Sequence, residues 1–207
     1  MSIQDRKERE KEEMRNLIID AANHIIHEEG MEKLSIRKIT NRIEYSPAII
    51  YHYFKDKEDI INCIMKTGYE KILNALNTVE DLYTNPEEKL EKSLRAYIKV
   101  ALEMPEEYKS ILLNNSKEVL SHTSVLFKGA SKKRQALNLL SQYIKNSLKD
   151  KHISDTTVEL ATQLVFTSTF GLIIRILIEK DIPKQQQELL IEQHIKFMIN
   201  GIQLLMD

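Results

Sequence analysis

The chain has 207 residues, of which 42% are hydrophobic, and a formal net charge of −1. Its length allows one large or two small hydrophobic cores. The single cysteine, Cys63, excludes an internal disulfide and a cysteine-based metal cluster, and the balanced charge means that a nucleic-acid site would have to be a local basic patch.

The residue pattern predicts helices along almost the whole chain. There are only five glycines and four prolines, and no run alternates apolar and polar residues as a half-buried strand would. We therefore expect an all-α fold of about nine helices. Apart from two short helices described below, these are predicted over residues 6–29, 57–82, 87–103, 105–121, 124–149, 156–180 and 184–206.

The first predicted helix begins with closely spaced acids and bases over residues 4–15 and ends at Gly30. Such a run is typical of a solvated, salt-bridged helix face. An arm that contacts DNA is the alternative interpretation.

Two short helices follow, separated by a tight break. The first begins at Ser35, a favoured N-cap residue, and its isoleucines recur at helical spacing, so its basic residues face outward. The second begins at Ser46 followed by Pro47, an order that suits a helix start because proline lacks only an amide hydrogen that would be unpaired there. Two short helices around such a break are the pattern of a helix-turn-helix DNA reader.

Another helix starts directly after this pair. Ile50 and Phe54, four residues apart, are predicted to face inward, and Asp56 is the predicted N-cap of the next helix. Lys55 and Lys57 flank that cap. Lysine is unfavourable at a helix N-terminus, so the two suggest that an anion such as a DNA phosphate binds there. The alternative is a small helical bundle with solvated lysines.

The local charge favours the DNA interpretation. Between residues 33 and 57 the cationic side chains are opposed only by Glu44 and Asp56. The cations are Lys33, Arg37, Lys38, Arg42, Lys55 and Lys57. The predicted basic patch thus coincides with the helix-turn-helix.

From about residue 14 to residue 69 the chain resembles the DNA-binding domain of TetR-type bacterial transcriptional regulators. The residues that carry the resemblance are Gly30 at the end of a long helix, the helix-turn-helix, the aromatic run 51–54 and the Lys-Asp-Lys-Glu sequence 55–58. The resemblance implies DNA contacts from the recognition helix and from the start of the next helix. The implied set is Ser35, Arg37, Ser46, Pro47, Ala48, Ile49, Tyr51, His52, Tyr53, Lys55 and Lys57.

Two departures from the family pattern affect this site. Glu44 stands in the turn, where the family usually has glycine, so we expect a strained or rearranged turn. No Arg, Asn or Gln, the side chains best suited to bidentate base contacts, occurs over residues 46–54. Sequence reading would then depend on thymine methyl groups, on Arg37 or Arg42, and on DNA shape.

We divide the chain into a DNA-binding domain over residues 1–56, a linking helix over residues 57–82 and a C-terminal domain over residues 83–207. The last two helices are the most apolar. Paired with the same helices of a second copy, they would form a four-helix interface whose two-fold symmetry matches a palindromic operator. A homodimer is predicted; the alternative is that these helices are the internal core of a monomer.

The middle helices carry aromatic, sulfur-containing and hydrogen-bonding residues of the kind that lines a small-molecule site. Taken one by one, these residues are better explained as core. The resemblance implies an effector site in this domain, for an apolar or amphipathic small molecule. The candidate pocket residues are Tyr97, Met104, Tyr108, His122, Phe127, Gln163, Phe166 and Phe170.

No catalytic site, metal site or cofactor is predicted. The histidines are scattered without partners at metal-ligand spacing, and neither a Gly-rich phosphate loop nor a Gly-x-Ser-x-Gly elbow occurs. Residues 2–16 are mostly charged, which argues against a signal peptide, and the apolar stretch 164–178 is shorter than the roughly 20 residues of a membrane span.

We therefore expect a cytoplasmic, non-enzymatic transcriptional regulator. In the leading hypothesis it is a repressor that binds a palindromic double-stranded DNA operator as a homodimer and is released by a small effector. The alternative is a helical protein-interaction module with a vestigial helix-turn-helix.

Overall fold

The computed structural model describes residues 3–115, 117–148, 153–179 and 181–204. Over these residues the chain forms eleven α-helices and no strand, which confirms the predicted all-α fold. The helices are α1 (Ile3–Glu29), α2 (Ile36–Ile43), α3 (Pro47–Tyr53), α4 (Lys57–Leu82), α5 (Pro86–Glu103), α6 (Pro105–Leu112), α7 (Lys117–Thr123), α8 (Ala130–Lys133), α9 (Gln135–Ser147), α10 (Asp155–Ile178) and α11 (Lys184–Gln203).

The middle of the chain differs from the prediction, because two expected helices are each divided. The helix predicted over 105–121 stops at Leu112, shortly before Asn114 and Asn115, a residue type that is less favourable inside helices than at their ends. The helix predicted over 124–149 is replaced by α8 and α9. Gly129 adopts the left-handed region with φ of 84°, and Arg134 is extended while its guanidinium donates to the carbonyl of Ser121 at 2.7 Å. The predicted helix ends at residues 149, 180 and 206 lie outside the described residues.

The chain forms two compact units, whose division falls within α4 between Tyr69 and Glu70. The first unit contains α1 to α3, the beginning of α4, and Glu106–Asn114. Its core is a cluster of apolar side chains contributed by each of its first four helices. The fully enclosed members are Ile18, Ala22, Ile39, Ile50 and Ile60.

The second unit contains Glu70–Pro105 and the residues from Asn115 onward. Here α5 packs against α9, α10 and α11, and α9 also packs against α10. The fully buried side chains of this core include Leu90, Ile98, Ile144, Ile173 and Ile195. The apolar faces of these helices thus meet around α5 and α10.

Helix α10 has 24 residues, so it is longer than the apolar stretch 164–178, which the sequence analysis found too short to span a membrane. Within the described residues it is long and apolar enough to meet the criterion for a membrane span. In the second unit, however, it packs against α5, α9 and α11. It also buries Thr162 and Thr169, whose hydroxyls donate to carbonyls one turn back, as in the core helix of a globular domain.

Candidate nucleic-acid interface

Helix α2 begins as its sequence predicts. The Ser35 hydroxyl accepts a hydrogen bond from the Lys38 amide at 3.3 Å, which satisfies one of the free donors at the helix start. Ile39 is fully buried on the inner face, and Arg37 is exposed on the outer one. The cap and the buried isoleucine together fix which side of α2 faces solvent.

The turn between α2 and α3 depends on a non-glycine residue in the left-handed region. Glu44 has φ of 58° and ψ of 36°, and its amide donates to the Thr40 carbonyl. The Tyr45 amide donates to the same carbonyl at 3.1 Å. The turn therefore forms with the conformation that glycine would adopt without strain, and a glutamate there costs about 1 kcal/mol or more.

Helix α3 presents a small outer face. Ser46 occupies the N-cap position and Pro47 the first turn, as predicted, although the Ser46 side chain makes no capping bond. Ile50 is fully buried and Phe54 is 2% exposed, so the predicted inward pair is confirmed. Five of the seven implied contacts at residues 46–53 are exposed, namely Ser46, Pro47, Ala48, Tyr51 and His52, while Ile49 and Tyr53 pack partly against the core.

The start of α4 carries both carboxylates and lysines. The Asp56 side chain accepts from the Asp59 amide at 2.9 Å, and the Asp59 side chain accepts from the Lys55 amide at 3.1 Å. The first of these bonds confirms Asp56 as the N-cap, while the Asp59 carboxylate binds the amide one residue before the cap. Because side chains already occupy these two amides, an anion at this point would be held chiefly by the ammonium groups of Lys55 and Lys57.

Two of the predicted cations are neutralised by the end of α1. Arg42 donates to both carboxylate oxygens of Glu28, at 2.7 and 2.8 Å, and Lys38 forms an ion pair with Glu29. The hydrogen bond from Arg42 lowers the pKa of the Glu28 carboxyl. Arg42, which the sequence offered as a base-reading residue, is thus engaged within the protein. The sequence signal for this pairing was the Glu28-Glu29 dipeptide, just outside the segment whose charge was counted.

The other four cations of the patch differ from Arg42 and Lys38. Among the described residues, no ion pair or side-chain hydrogen bond involves the side chains of Lys33, Arg37, Lys55 or Lys57. Arg37 and Lys55 are exposed, as are Tyr51 and His52 of the outer face of α3. The first unit therefore presents a small exposed surface that carries both aromatic rings and free positive charge.

Arg15 is a residue that the sequence analysis did not identify. It lies in α1, and its Nη1 donates to the carbonyl of Tyr53, the last residue of α3, at 2.7 Å. Its guanidinium also lies 4.3 Å from the centroid of the Phe54 ring. No local signal could indicate this contact, because 38 residues separate Arg15 from Tyr53 in sequence.

The second unit contains a small cavity of about 30 Å³. It is lined by Leu76, Ser93, Leu94, Tyr97, Ala136, Leu140, Tyr143 and Phe166. Only Tyr97 and Phe166 of the predicted pocket residues belong to this lining, with ring centroids 5.8 Å apart. Burial, together with the nearby Glu80 carboxylate, raises the pKa of the Tyr143 hydroxyl. This volume is enough to hold a water molecule, which needs roughly 10–15 Å³.

The other candidate pocket residues lie elsewhere. Tyr108 is buried in the first unit, whereas Met104 is buried in the second. Gln163 donates to the carbonyls of Val125 and Phe127, so it holds a loop. The Phe127 ring lies beside the cationic groups of Lys133 and Arg134. His122 of α7 is exposed, and Phe170 of α10 is partly buried. Among the described residues no three His, Cys, Asp or Glu side chains form a group that could hold a metal ion.

A further surface of the second unit is apolar and exposed. Helix α10 exposes Leu160, Leu164 and Ile178, and α11 exposes Leu189, Leu190 and Phe197, followed by Leu204 just after its end. Phe197 is 72% exposed and Leu204 70%. Gly171 of α10 and Gly201 of α11 have open space where a β-carbon would lie.

The first unit contains a segment that matches a known protein family. Residues 18–64 match the family described as bacterial regulatory proteins of the tetR family. The chain is 32% identical over 89 residues to the HTH-type transcriptional regulator HbdR of Aromatoleum sp. (strain CIB), a match that covers 43% of this chain and 39% of HbdR. It is 31% identical over 84 residues to the HTH-type transcriptional regulator BetI of Escherichia coli, covering 41% of this chain and 42% of BetI. These matches span about two-fifths of the length of each relative.

Solved structures resemble the chain over most of its length. The fatty acid degradation regulator FadR from Bacillus halodurans has a TM-score of 0.68 and 20% identity, over 90% of this chain and 95% of that one. The TetR family transcriptional regulator PfmR from Thermus thermophilus has a TM-score of 0.65 and 18% identity, over 88% of this chain and 97% of that one. At these identities the likeness establishes a shared fold.

Proposed function

We propose that this chain, whose N-terminal domain belongs to the TetR family of bacterial regulators, is a cytoplasmic transcriptional repressor that binds a palindromic operator as a homodimer and is released by a small effector. The observation that carries the proposal is the outer face of α3, which combines exposed aromatic side chains with free cations at its flanks. Proteins that read the major groove place a helix of this kind against the base edges.

In this proposal α3 lies in the major groove with its N-terminal half nearest the bases. Ser46, Pro47 and Ala48 are small and exposed, so the backbone can approach closely. Ile49 is suited to contacting thymine methyl groups, because its side chain is apolar. Lys55 and Lys57 would contact phosphates on the flanking backbone, which fixes the orientation without specifying a sequence.

The homodimer in this proposal forms through α10 and α11. Leu190, Phe197 and Leu204 recur every seven residues, and a seven-residue spacing places them along one stripe of the helix. Side chains as large as Phe197 are costly to leave in water, at about 1.5–3 kcal/mol each. Helix α10 also exposes apolar side chains, among them Leu160 and Leu164. Pairing these side chains and the α11 stripe with those of a second copy would bury both and provide the two-fold axis that a palindrome requires.

The effector site in this proposal is the cavity around Tyr97 and Phe166. Its present volume is about 30 Å³, while small-molecule sites measure roughly 300–1,000 Å³. An effector would therefore have to enlarge it. Leu76 of α4 lines the cavity, and Lys57 at the start of the same helix belongs to the proposed DNA contacts. Helix α4 would thus transmit the change.

The direct test is to titrate the purified protein against the DNA upstream of its own gene at two salt concentrations, with random DNA as a control. We expect tight, salt-sensitive binding to a site that takes two protomers or a multiple of two. Weak binding of equal strength on random DNA would count against a local operator. To separate a distant operator from a protein-interaction module, the protein would then select duplexes from a random-sequence pool, and failure to enrich any sequence would refute the proposal.

A further inference from the structure

We infer that Arg15, which lies outside the helix-turn-helix, is a positioning residue that holds the recognition helix α3 in the orientation needed to discriminate between DNA sequences. The inference rests on the proposed DNA-binding function. It assigns to α1 a part in sequence reading that does not involve contact with DNA.

The Arg15 guanidinium contacts three parts of the chain around the end of α3. Nη1 donates to the Tyr53 carbonyl at 2.7 Å, and the guanidinium carbon lies 4.3 Å from the centroid of the Phe54 ring. Nη2 lies 4.0 Å from the sulfur of Cys63, in α4. One side chain thus joins α1 to the last residue of α3, to the residue that caps it and to the helix that follows.

The C-terminal end of α3 is the end where such a contact matters most. The last carbonyls of a helix have no partner within the helix and carry the negative end of its dipole. A guanidinium N–H on such a carbonyl is a charge-assisted hydrogen bond, stronger than a neutral one. Helix α3 has only seven residues, and its N-cap, Ser46, makes no side-chain capping bond. A helix this short has little stability of its own, so packing and the contact from Arg15 determine its direction.

Arg15 is itself held in place. Ile18 and Ala22, which lie three and seven residues further along α1 and so on the same face, are both fully buried in the core. The Phe54 ring beneath the guanidinium is only 2% exposed. A planar guanidinium stacked on a fixed aromatic ring has little rotational freedom. The position of the Tyr53 carbonyl is therefore set relative to the core of the unit.

A shift of Tyr53 would reach the predicted DNA-contacting side chains. The ring of Tyr53 packs edge-to-face against the ring of His52, with centroids 5.0 Å apart. His52 is exposed on the outer face of α3, next to Tyr51. Loss of the Arg15 contact would therefore loosen the end of α3 that carries these two side chains, while Lys55 and Lys57 would keep their charge.

The test compares Arg15→Met, which keeps the aliphatic stem, with the matched control Arg6→Met. Arg6 is in the same helix and has the same charge, but its side chain is 70% exposed and pairs with Glu10 on the same helix. Both variants are titrated with a duplex that the wild-type protein has selected from a random-sequence pool, and with a scrambled duplex, over a range of salt. Hydrogen exchange of the Phe54 amide, which donates to the Ile50 carbonyl at 2.8 Å, is followed without DNA.

We expect Arg15→Met to weaken binding to the selected duplex about tenfold, because it removes one charge-assisted hydrogen bond. Binding to the scrambled duplex and the salt slope should be unchanged, and the Phe54 amide should exchange faster. Arg6→Met should match the wild type in every measurement. Arg15→Lys keeps the charge without the planar fork, and should recover only part of the discrimination.

Three results would overturn the inference. Equal losses on both duplexes with a salt slope lower by about one would make Arg15 a phosphate contact. If Arg15→Met folded and discriminated between the two duplexes as well as the wild type, the role of Arg15 would be purely structural. If Arg15→Met did not fold, unchanged discrimination by Arg15→Lys would lead to the same conclusion. A wild-type protein that selected no duplex would refute the proposed function itself, before any variant was compared.

Discussion

Replacement of Glu44 by glycine should stabilise the protein, although it removes a side chain. Glu44 has φ of 58°, a region that costs an L-residue about 1–2 kcal/mol because the β-carbon crowds the following carbonyl. Its side chain is exposed and takes part in no hydrogen bond or ion pair within the described part of the chain, so no contact is lost. Glycine removes the strain but adds about 0.5–1 kcal/mol of unfolded-chain entropy. The net gain should be about 0.5–1 kcal/mol.

Glu44→Ala is the matched comparison, because it keeps the β-carbon that causes the strain. We expect alanine to be close to the wild type and glycine to exceed alanine by roughly that same net amount. Urea unfolding followed by circular dichroism measures the difference as a shift in midpoint at constant slope. If alanine were as stable as glycine, or more stable, the left-handed turn would not be strained in solution. Glycine preserves the turn and removes one of the two carboxylates that oppose the basic patch, so DNA affinity should not fall.

Three further predictions concern other surfaces. Lys55→Ala should weaken binding to every duplex and lower the salt slope by about one, whereas Lys71→Ala, on the exposed side of α4, should leave the slope unchanged. If the two variants had the same salt slope, Lys55 would not contact a phosphate. Phe197→Asp should weaken the homodimer at least roughly a hundredfold in sedimentation experiments, since burial of the Phe197 ring of each copy is worth about 1.5–3 kcal/mol. Lys196→Ala should leave the dimer unchanged, and a dimer that Phe197→Asp did not weaken would place the interface elsewhere. Burial lowers the pKa of His194, so the unfolded chain binds the proton more readily and stability should fall as the pH drops through 6.5; in His194→Gln, urea midpoints measured across this range should show a weaker pH dependence.

The sequence predicted those features that depend on neighbouring residues. Ser35 and Asp56 accept hydrogen bonds from amides three residues ahead, and the Ser46-Pro47 pair marks the start of α3. Such caps are recognisable because the donor and acceptor lie within one turn. Ile50 and Phe54 faced inward as expected, since four residues are about one helical turn.

Features that depend on distant residues could not be predicted in this way. Arg15 meets Tyr53 across 38 positions, and Arg42 meets Glu28 across 14. The extended backbone at Arg134 accompanies guanidinium hydrogen bonds to carbonyls ten and thirteen positions earlier, which a helical periodicity over 124–149 does not register. The cavity lining likewise combines residues of α4, α5, α9 and α10, and of the candidate pocket residues chosen by side-chain type only Tyr97 and Phe166 belong to it.

The small cavity also limits how an effector could release DNA. A ligand shifts an equilibrium only by the difference between its affinities for the two states. To weaken DNA binding a hundredfold, it would have to favour the released state by about 2.7 kcal/mol, within the usual range of allosteric coupling. Burying one more side-chain-sized apolar group contributes about 1.5–3 kcal/mol. A released state in which the walls formed by Leu94 and Leu140 separate enough to enclose one further ring or short alkyl segment would therefore be sufficient, and no polar anchor would be required for the coupling.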